Sequence, residues 1–509
     1  MRYYDAVLRM LAARGHQVEL ASEHAGESWP PSVLALTAAC PAVRLSRVPT
    51  LRGNPWWELA TRLRQARFYV RFLDPVYNGM PKLLLRARER APRPAIRLAE
   101  FPGVGRLGRA WIAAVLDVLD QSTRTAAAFH QYLRDLRPDV VVLSPLVILK
   151  TTQLEQARAA VELGIRNVFA VASWDHLSSK GELTFAPQQV IVWNDVQKRE
   201  LAELHHLDAA DVVVTGSQVF DDWFGREPST TREAFCGRVG LPVDRPIVLY
   251  VCSALLEGSP PESSFVLRWA QHLRHSPHPV LQQCSILVRP HFKRGDEWAD
   301  VDLSGLGPIV CWPRAGDVPV DASSKTDYFD SLYHATAVVG LNTSAMIEAA
   351  IVGRPVRTVL LPEFRDNQEG TVHFHYLLDG PDALLPATRS LEEHARDVAQ
   401  VLDGGDPDPD RSARFVRQFV RPAGLNVSAT TRFVEALEAL AARPAPSPRP
   451  APAWTRLCRP LLRPFANAAA NRIRRISDQR RRQKEVVLSE HRRKRRAERG
   501  LARPPQNPS

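Results

Sequence analysis

Several features that commonly announce a function are missing from this sequence. The six cysteines (Cys40, Cys236, Cys252, Cys284, Cys311, Cys458) are scattered over 509 residues with no C-x-x-C pair. That spacing argues against a zinc site or a disulfide scaffold and fits a reducing compartment. The longest apolar run, Val140–Leu149, is broken by Ser144 and Pro145 and is too short to cross a bilayer. The start, MRYYDAVLRM, is polar and amphipathic rather than an apolar signal core. There is no phosphate-binding G-x-x-x-x-G-K-[ST] loop and no G-x-S-x-G elbow, and no repeat at a solenoid period. Asp406-Pro407-Asp408 and Asp408-Pro409-Asp410 have the letters of a D-x-D metal motif but lie in a Pro/Gly/Asp-rich loop. No metal and no other cofactor is therefore expected, and a leaving diphosphate would be neutralised by helix N-termini and cationic side chains.

What is present is a soluble-protein composition, 45% apolar and 24% charged, at a length that predicts two or three domains. The net charge of +12 is concentrated at one end. Residues 441–509 hold 19 Lys+Arg against 4 Asp+Glu, leaving 48 basic and 51 acidic residues elsewhere. Any partner attracted by charge is therefore a partner of the tail. The tail opens with a Pro-rich linker, Arg443–Pro452. Phe465, Ala469, Ile473 and Ile476 then recur at helical spacing beside Arg472, Arg474 and Arg475, and Arg492–Arg496 extend the charge. This pattern predicts a basic amphipathic helix on an anionic membrane surface, or else a solvated tail. Without interleaved aromatics it predicts no specific nucleic-acid partner.

The body alternates β-branched runs with helical patterns, which predicts parallel α/β layers. Strands are expected at Gln17–Leu20, Val140–Leu143, Asn167–Ala172, Gln189–Trp193 and Val212–Thr215, then at Arg245–Cys252, Ser285–Val288, Pro308–Cys311, Ala337–Leu341 and Val356–Leu360. An Arg-rich helical insertion is expected over 56–136, and helices over Leu391–Leu402 and Ala413–Ala442. The expected fold class is α/β: two Rossmann-like domains, 1–225 and 226–442, facing a cleft, followed by a basic tail over 443–509. The opening RYYDAVLRMLAARGHQVELAS reads as a helix, turn and second strand of a Rossmann-like unit. The first strand therefore reads as missing, and the first sheet is expected to have an unfilled central position.

Ser323–Val359 is the most informative stretch. A strand leads into the polar turn Asn342-Thr343-Ser344 and a helix carrying Glu348, and Gly353-Arg354-Pro355 leads to the next strand. A small polar turn opening a helix suits a phosphate, and Glu348, one helical turn beyond Ser344, suits ribose hydroxyls. An ordinary capped helix would read the same way. Arg289 and His291 follow one strand and Ser253 another, positions where α/β proteins bind ligands. Ser173–Gly181 (SWDHLSSKG) places Asp175 beside His176 after a strand, as a general base requires. His373 and His375 are expected on one face of a strand, within hydrogen-bonding reach of a bound donor or acceptor.

The arrangement resembles the GT-B class of nucleotide-sugar glycosyltransferases, and within it the branch of teichoic-acid glycerophosphotransferases and UDP-N-acetylglucosamine 2-epimerases. The motifs are Val288-Arg289-Pro290-His291, the Asn342–Glu348 turn-helix with Gly353-Arg354-Pro355, Thr215-Gly216-Ser217 with Asp221-Asp222-Trp223, and an imperfect match of WDHLSSKG to the glycerophosphotransferase loop. The resemblance implies a nucleotide-activated donor bound in the second domain and a polysaccharide or lipid-linked acceptor bound in the first. It implies catalytic roles for Asp175, His176 and His291, and donor contacts from Arg289, Ser253, Asn342, Thr343, Ser344, Glu348 and His373. The expected activity is metal-independent transfer of a sugar or polyol phosphate to an envelope or capsular acceptor, in the cytoplasm or at the inner face of the membrane. Nucleotide-sugar epimerisation or hydrolysis, and a non-catalytic binding role, are the alternatives.

Overall fold

The computed structural model describes residues 3–23, 28–149, 151–207, 211–314, 316 and 321–501, with the side chains of the last helix described through residue 479 and at 483. Twelve strands are seen among the described residues, and every pairing between them is parallel. In the first half they are β1 (Val18–Ser22), β2 (Val43–Arg47), β3 (Val140–Leu143), β4 (Arg166–Ala170), β5 (Gln189–Val192) and β6 (Val212–Val214). In the second they are β7 (Ile247–Val251), β8 (Ser285–Arg289), β9 (Ile309–Cys311), β10 (Ala337–Gly340), β11 (Val356–Val359) and β12 (Ala387–Thr388).

The second half forms one sheet in the order β12-β11-β10-β7-β8-β9. Its first strand lies centrally, the next two build outward on one side and the last three on the other. This is the doubly wound order, whose ligand crevice opens where the direction reverses, here between β7 and β10. The central strands are buried along their length and mostly apolar because both faces are covered. Ile247, Leu249 and Val251 of β7 enter one core with Met346 and Phe374, while Val248 and Tyr250 enter the other with Trp269.

The first half is split. β3-β4-β5-β6 form one sheet and β1-β2 a separate pair, so among the described residues β1 and β3 each have one unpaired edge. Val142 of β3 is 43% exposed. Several side chains tie the pieces together, among them Tyr4 and Glu23. The Tyr4 hydroxyl lies 2.7 Å from Ser144 Oγ and donates to the Ala170 carbonyl, and Glu23 accepts from the Thr152 amide at 2.7 Å.

Helices 55–71, 81–90, 93–99, 105–122 and 127–136 build the insertion. Arg64 is buried within it between Asp120 and Glu155, the latter at 2.6 Å. Charges removed from water persist only when paired this way.

Three expectations are corrected. Residues 413–442 are not one helix: the chain breaks at Pro422 and Gly424 (φ 120°), and the helix Ala429–Ala442 packs Phe433, Val434 and Leu437 against Val168, Ala170 and Ile191 of the first domain. The chain thus returns to its first half before residue 442. Asp221 secures the return, accepting from Arg421, Ser428 Oγ and the Thr430 amide (2.6 Å). Gly216, at φ 88°, lets the exit segment pass; a Cβ there would lie 3.1 Å from the Val420 carbonyl. Second, the linker and tail are docked on the first domain: the Arg449 amide donates to the Val161 carbonyl, and the helix Ala453–Leu501 lies along helix 55–71, burying Leu462, Ala466 and Ala469. Third, His373 and His375 lie on a helix, Val372–Leu378, where residues two apart point to nearly opposite sides.

Candidate functional site at the domain junction

The second domain's part of the site follows from its strand order. Ser253 lies two residues past β7 and Asn342 two past β10, one on each side of the crevice where the sheet reverses. They are joined: the Asn342 amide donates to Ser253 Oγ at 3.1 Å. Ser253 is fully buried, and its own amide donates to Glu262 at 2.7 Å. Asn342 Nδ2 donates to the Asn367 carbonyl at 2.5 Å and to His373 Nε2 at 3.3 Å. Thr371 Oγ1 lies 3.5 Å from the same nitrogen; because an amide nitrogen only donates, Nε2 accepts in its bond to Asn342, and the neutral His373 ring then carries its proton on Nδ1. That Nδ1 is buried without a hydrogen-bond partner.

The polar turn is partly self-satisfied. The Ala345 amide donates to Thr343 Oγ1, the Met346 amide to the Thr343 carbonyl, and the Ile347 amide to the Ser344 carbonyl. Ser344 begins a helix of only seven residues and makes no side-chain cap. Glu348 is 2% exposed and accepts from the Tyr328 hydroxyl at 2.5 Å. Arg289 is engaged inside the fold: Nη1 donates to Asp327 at 2.8 Å and to Ser331 Oγ at 2.6 Å, with the guanidinium 5.3 Å above the Tyr328 ring. Tyr328 thereby links Arg289 to Glu348. It was not singled out in the sequence, although it lies within the informative stretch. His291 follows β8, accepts from the Lys293 amide at 3.3 Å and packs against Phe292.

The first domain contributes the loop after β4. Asp175 accepts from Lys180 Nζ at 2.8 Å and from Ser173 Oγ at 2.7 Å. Gly181 pins the end of the loop by donating its amide to the Val147 carbonyl, so close that a Cβ would lie 2.7 Å from that oxygen. Burial works against ionisation of Asp175, yet Lys180, His373 and His176 together hold its carboxyl well below the usual range. Burial lowers His176 to about 4 despite the neighbouring Asp175, and its Nδ1 also lacks a partner. Burial lowers His373 to about 4 as well, again opposed by Asp175. Both rings are therefore neutral at pH 7.

The two domains meet directly. The Trp174 indole meets His373 edge-on, Lys82 Nζ donates to Ser259 Oγ at 2.8 Å, and the Tyr376 hydroxyl donates to Glu200 at 2.8 Å. Burial pushes the Glu200 carboxyl up to about 8, against the Tyr376 hydrogen bond. The structure thus brings together Asp175, His176 and His373 across the junction, with Asn342 and Ser253 directly behind His373. Arg289 and Glu348 form a neighbouring group held by Tyr328. His375 is separate, half-buried, and paired with Asp379 at 3.0 Å and the Glu369 carbonyl at 2.9 Å. A concavity of about 480 Å³ lies elsewhere, lined by Phe224, Ile351, Val416 and Leu425, and Arg421 in its wall is already held by Asp221. Among the described residues no group of three or more His, Cys, Asp or Glu is arranged to hold a metal.

No protein-family model matches the chain, and no curated protein sequence matches it. Solved structures do. A putative UDP-N-acetylglucosamine 2-epimerase from Listeria monocytogenes is 14% identical, with 67% of this chain and 88% of that one covered and a TM-score of 0.43. The wall teichoic acid polymerase TagF is 11% identical, with 61% and 84% covered and a TM-score of 0.36. The calicheamicin glycosyltransferase CalG4 is 14% identical, with 87% and 95% covered and a TM-score of 0.42. These likenesses are distant, and the parallel sheets of this chain stand on its own topology.

Proposed function

We propose that the chain is a transferase that takes a sugar or polyol phosphate from a nucleotide-activated donor and passes it to a cell-envelope or capsular polysaccharide acceptor. One observation carries the reading. His176 and His373, one from each domain, each bury an unpartnered Nδ1 within electrostatic reach of the Asp175–Lys180 pair. Buried polar atoms without partners are rare in folded proteins, and at a junction between two α/β domains they mark a place for a ligand.

In this reading the donor occupies the crevice between β7 and β10, with Ser253, Asn342, Thr343 and Ser344 at its phosphates and Glu348 at its ribose. The Nδ1–H of neutral His373 donates to charge developing on the leaving diphosphate. Lys180 adds positive charge there, and His291 closes the edge after β8. His176, neutral at pH 7, accepts the proton of the attacking hydroxyl while Asp175 stabilises the imidazolium that forms. Because the domains touch at Trp174–His373 and Tyr376–Glu200, they must part to admit the donor and close again over it.

The test is a thermal-shift screen of UDP-, CDP-, GDP- and TDP-linked donors, followed by turnover with and without an acceptor. A ligand specific to the folded state raises the melting temperature. A rise with one nucleotide class, with consumption that needs an acceptor, is expected. No rise with any donor overturns donor binding, and consumption without acceptor selects epimerisation or hydrolysis instead.

A further inference from the structure

The tail helix does not place its regular apolar stripe outward. Ala469 is buried and Ile473 and Ile476 are half-buried on the side that carries Leu462 and Ala466 onto helix 55–71. A different set faces solvent. Trp454, Leu457, Leu461 and Phe465 follow one another by three or four residues along one side of the helix, and the last three are 78%, 75% and 65% exposed.

Helix 105–122 repeats the pattern. Leu107 (87% exposed) and Trp111 (67%) lead on to Ala114 and Val118, again at helical spacing and again outward. The two helices are neighbours. Leu119, next to Val118, and Cys458, next to Leu457, both pack against the cluster of Leu59, Leu462 and Ala466. Two exposed apolar stripes on adjoining helices are far more than the isolated apolar residues that ordinary surfaces carry.

Charge identifies what covers them. Between residues 453 and 479 the helix has six arginines and one acid, Asp478. On helix 105–122 both acids are consumed, Asp117 by Arg67 and Asp120 by Arg64 and Arg158. The exposed side of the tail helix continues beyond Phe465 into Arg472 and Arg475, seven and ten residues on and both exposed, and among the described residues helix 105–122 adds no unpaired acid. A two-fold pairing of this face with itself would bring like charges together. An anionic lipid surface accepts the whole pattern: aliphatic side chains enter the acyl boundary, Trp settles at the interface, and Arg reaches headgroup phosphates.

We infer that helices 105–122 and 453–479 together form a membrane-docking face for anionic lipid, with the inserted side chains supplied by both helices and the remaining basic tail adding long-range attraction. The inference does not rest on the proposed transferase activity.

The test is flotation of the full chain with vesicles of phosphatidylcholine alone or with about 30% phosphatidylglycerol, at about 0.15 M salt, where exposed charges act over only about 8 Å. Wild type is expected to float with the anionic vesicles. Leu107→Glu/Trp111→Glu and Leu457→Glu/Leu461→Glu are each expected to cut the bound fraction at least tenfold with an unchanged melting temperature. The first pair leaves every residue of the tail intact. If it binds as wild type does, the tail alone is responsible and the docking face is overturned. Light scattering without lipid tests the competing occupant: a dimer that either pair dissolves assigns the face to a second copy of the chain and overturns lipid docking.

Discussion

The rings of Trp174 and His373 meet across the domain junction with centroids 4.7 Å apart and planes at 82°. The edge-to-face contact excludes water from one side of the imidazole. The Asn342 amide, on Nε2, fixes its tautomer. His373 is thus held neutral with its proton on a defined atom.

Asp175→Asn removes the carboxylate that balances Lys180 and stabilises charge on His176. Turnover is expected to fall at least tenfold, within the range spanned by acid–base groups, while donor affinity measured by calorimetry changes little. An equal loss in affinity and rate would make Asp175 a binding residue.

Glu348→Ala is expected to weaken donor binding by about 1–3 kcal/mol, the usual worth of hydrogen bonds to a charged group. Tyr328→Phe is the control, because it removes only the hydroxyl that Glu348 accepts. If it reproduces the whole loss, Glu348 acts by holding the Arg289–Tyr328 group and does not reach the ribose.

Glu262 gives a pH prediction. Burial raises its carboxyl to about 8, although the Ser253 amide and the Tyr250 hydroxyl both favour ionisation. The unfolded chain ionises this group near 4.5 and the folded chain does not. Its contribution to stability is therefore intact below about pH 4.5 and is lost progressively as pH rises towards 8. Glu262→Gln cannot ionise, and its amide oxygen can still accept from the Ser253 amide. Denaturant unfolding should show the variant gaining on wild type from about pH 5 to 8, by more than about 1 kcal/mol at the upper end. A gap that does not change with pH rules this out.

The docked tail makes removal of residues 443–509 more costly than its composition suggests. Truncation uncovers Leu59, with which Leu462 and Ala466 form a core cluster, and the half-buried Trp56 beside it. Leu462→Ala alone is expected to cost about 2–3 kcal/mol, towards the lower end for a buried leucine. Unchanged chemical denaturation would show that the helix is only loosely held.

The second domain was legible because burial on both faces leaves no ambiguity. IVLYV, SILVR, AVVG and VRTV are short apolar runs between polar turns, and each lies within a residue or two of where it was read. β2 escaped notice because VRLSR buries only Val43 fully. V-H-F-H-Y-L alternates like a strand, yet its buried members, Phe374 and Leu377, are three apart, and that spacing made it helical. Asp175 and His176 were visible because they sit together after a strand. His373 could be named, but its pairing with Trp174 depends on how the long intervening chain folds, which no local pattern carries. The tail's stripe of Phe465, Ala469, Ile473 and Ile476 reads as facing a membrane because no local pattern shows that helix 55–71 lies beneath it. Small side chains are what allow two helices to approach closely, and Ala466, Ala469 and Ala470 are all buried.

The break between β1 and β3 has a mechanical meaning. The first half is two plates riveted at Tyr4 and Glu23 instead of one continuous board. Backbone donors along the open margins are not locked by a neighbour, so amide exchange should begin there. Movement of the β1-β2 plate is limited by the helix before it, whose Val7 packs with Val168, Ala170 and Ile191 of the larger plate. The loop bearing Asp175 leaves from β4, an interior strand of the larger plate and away from those open margins.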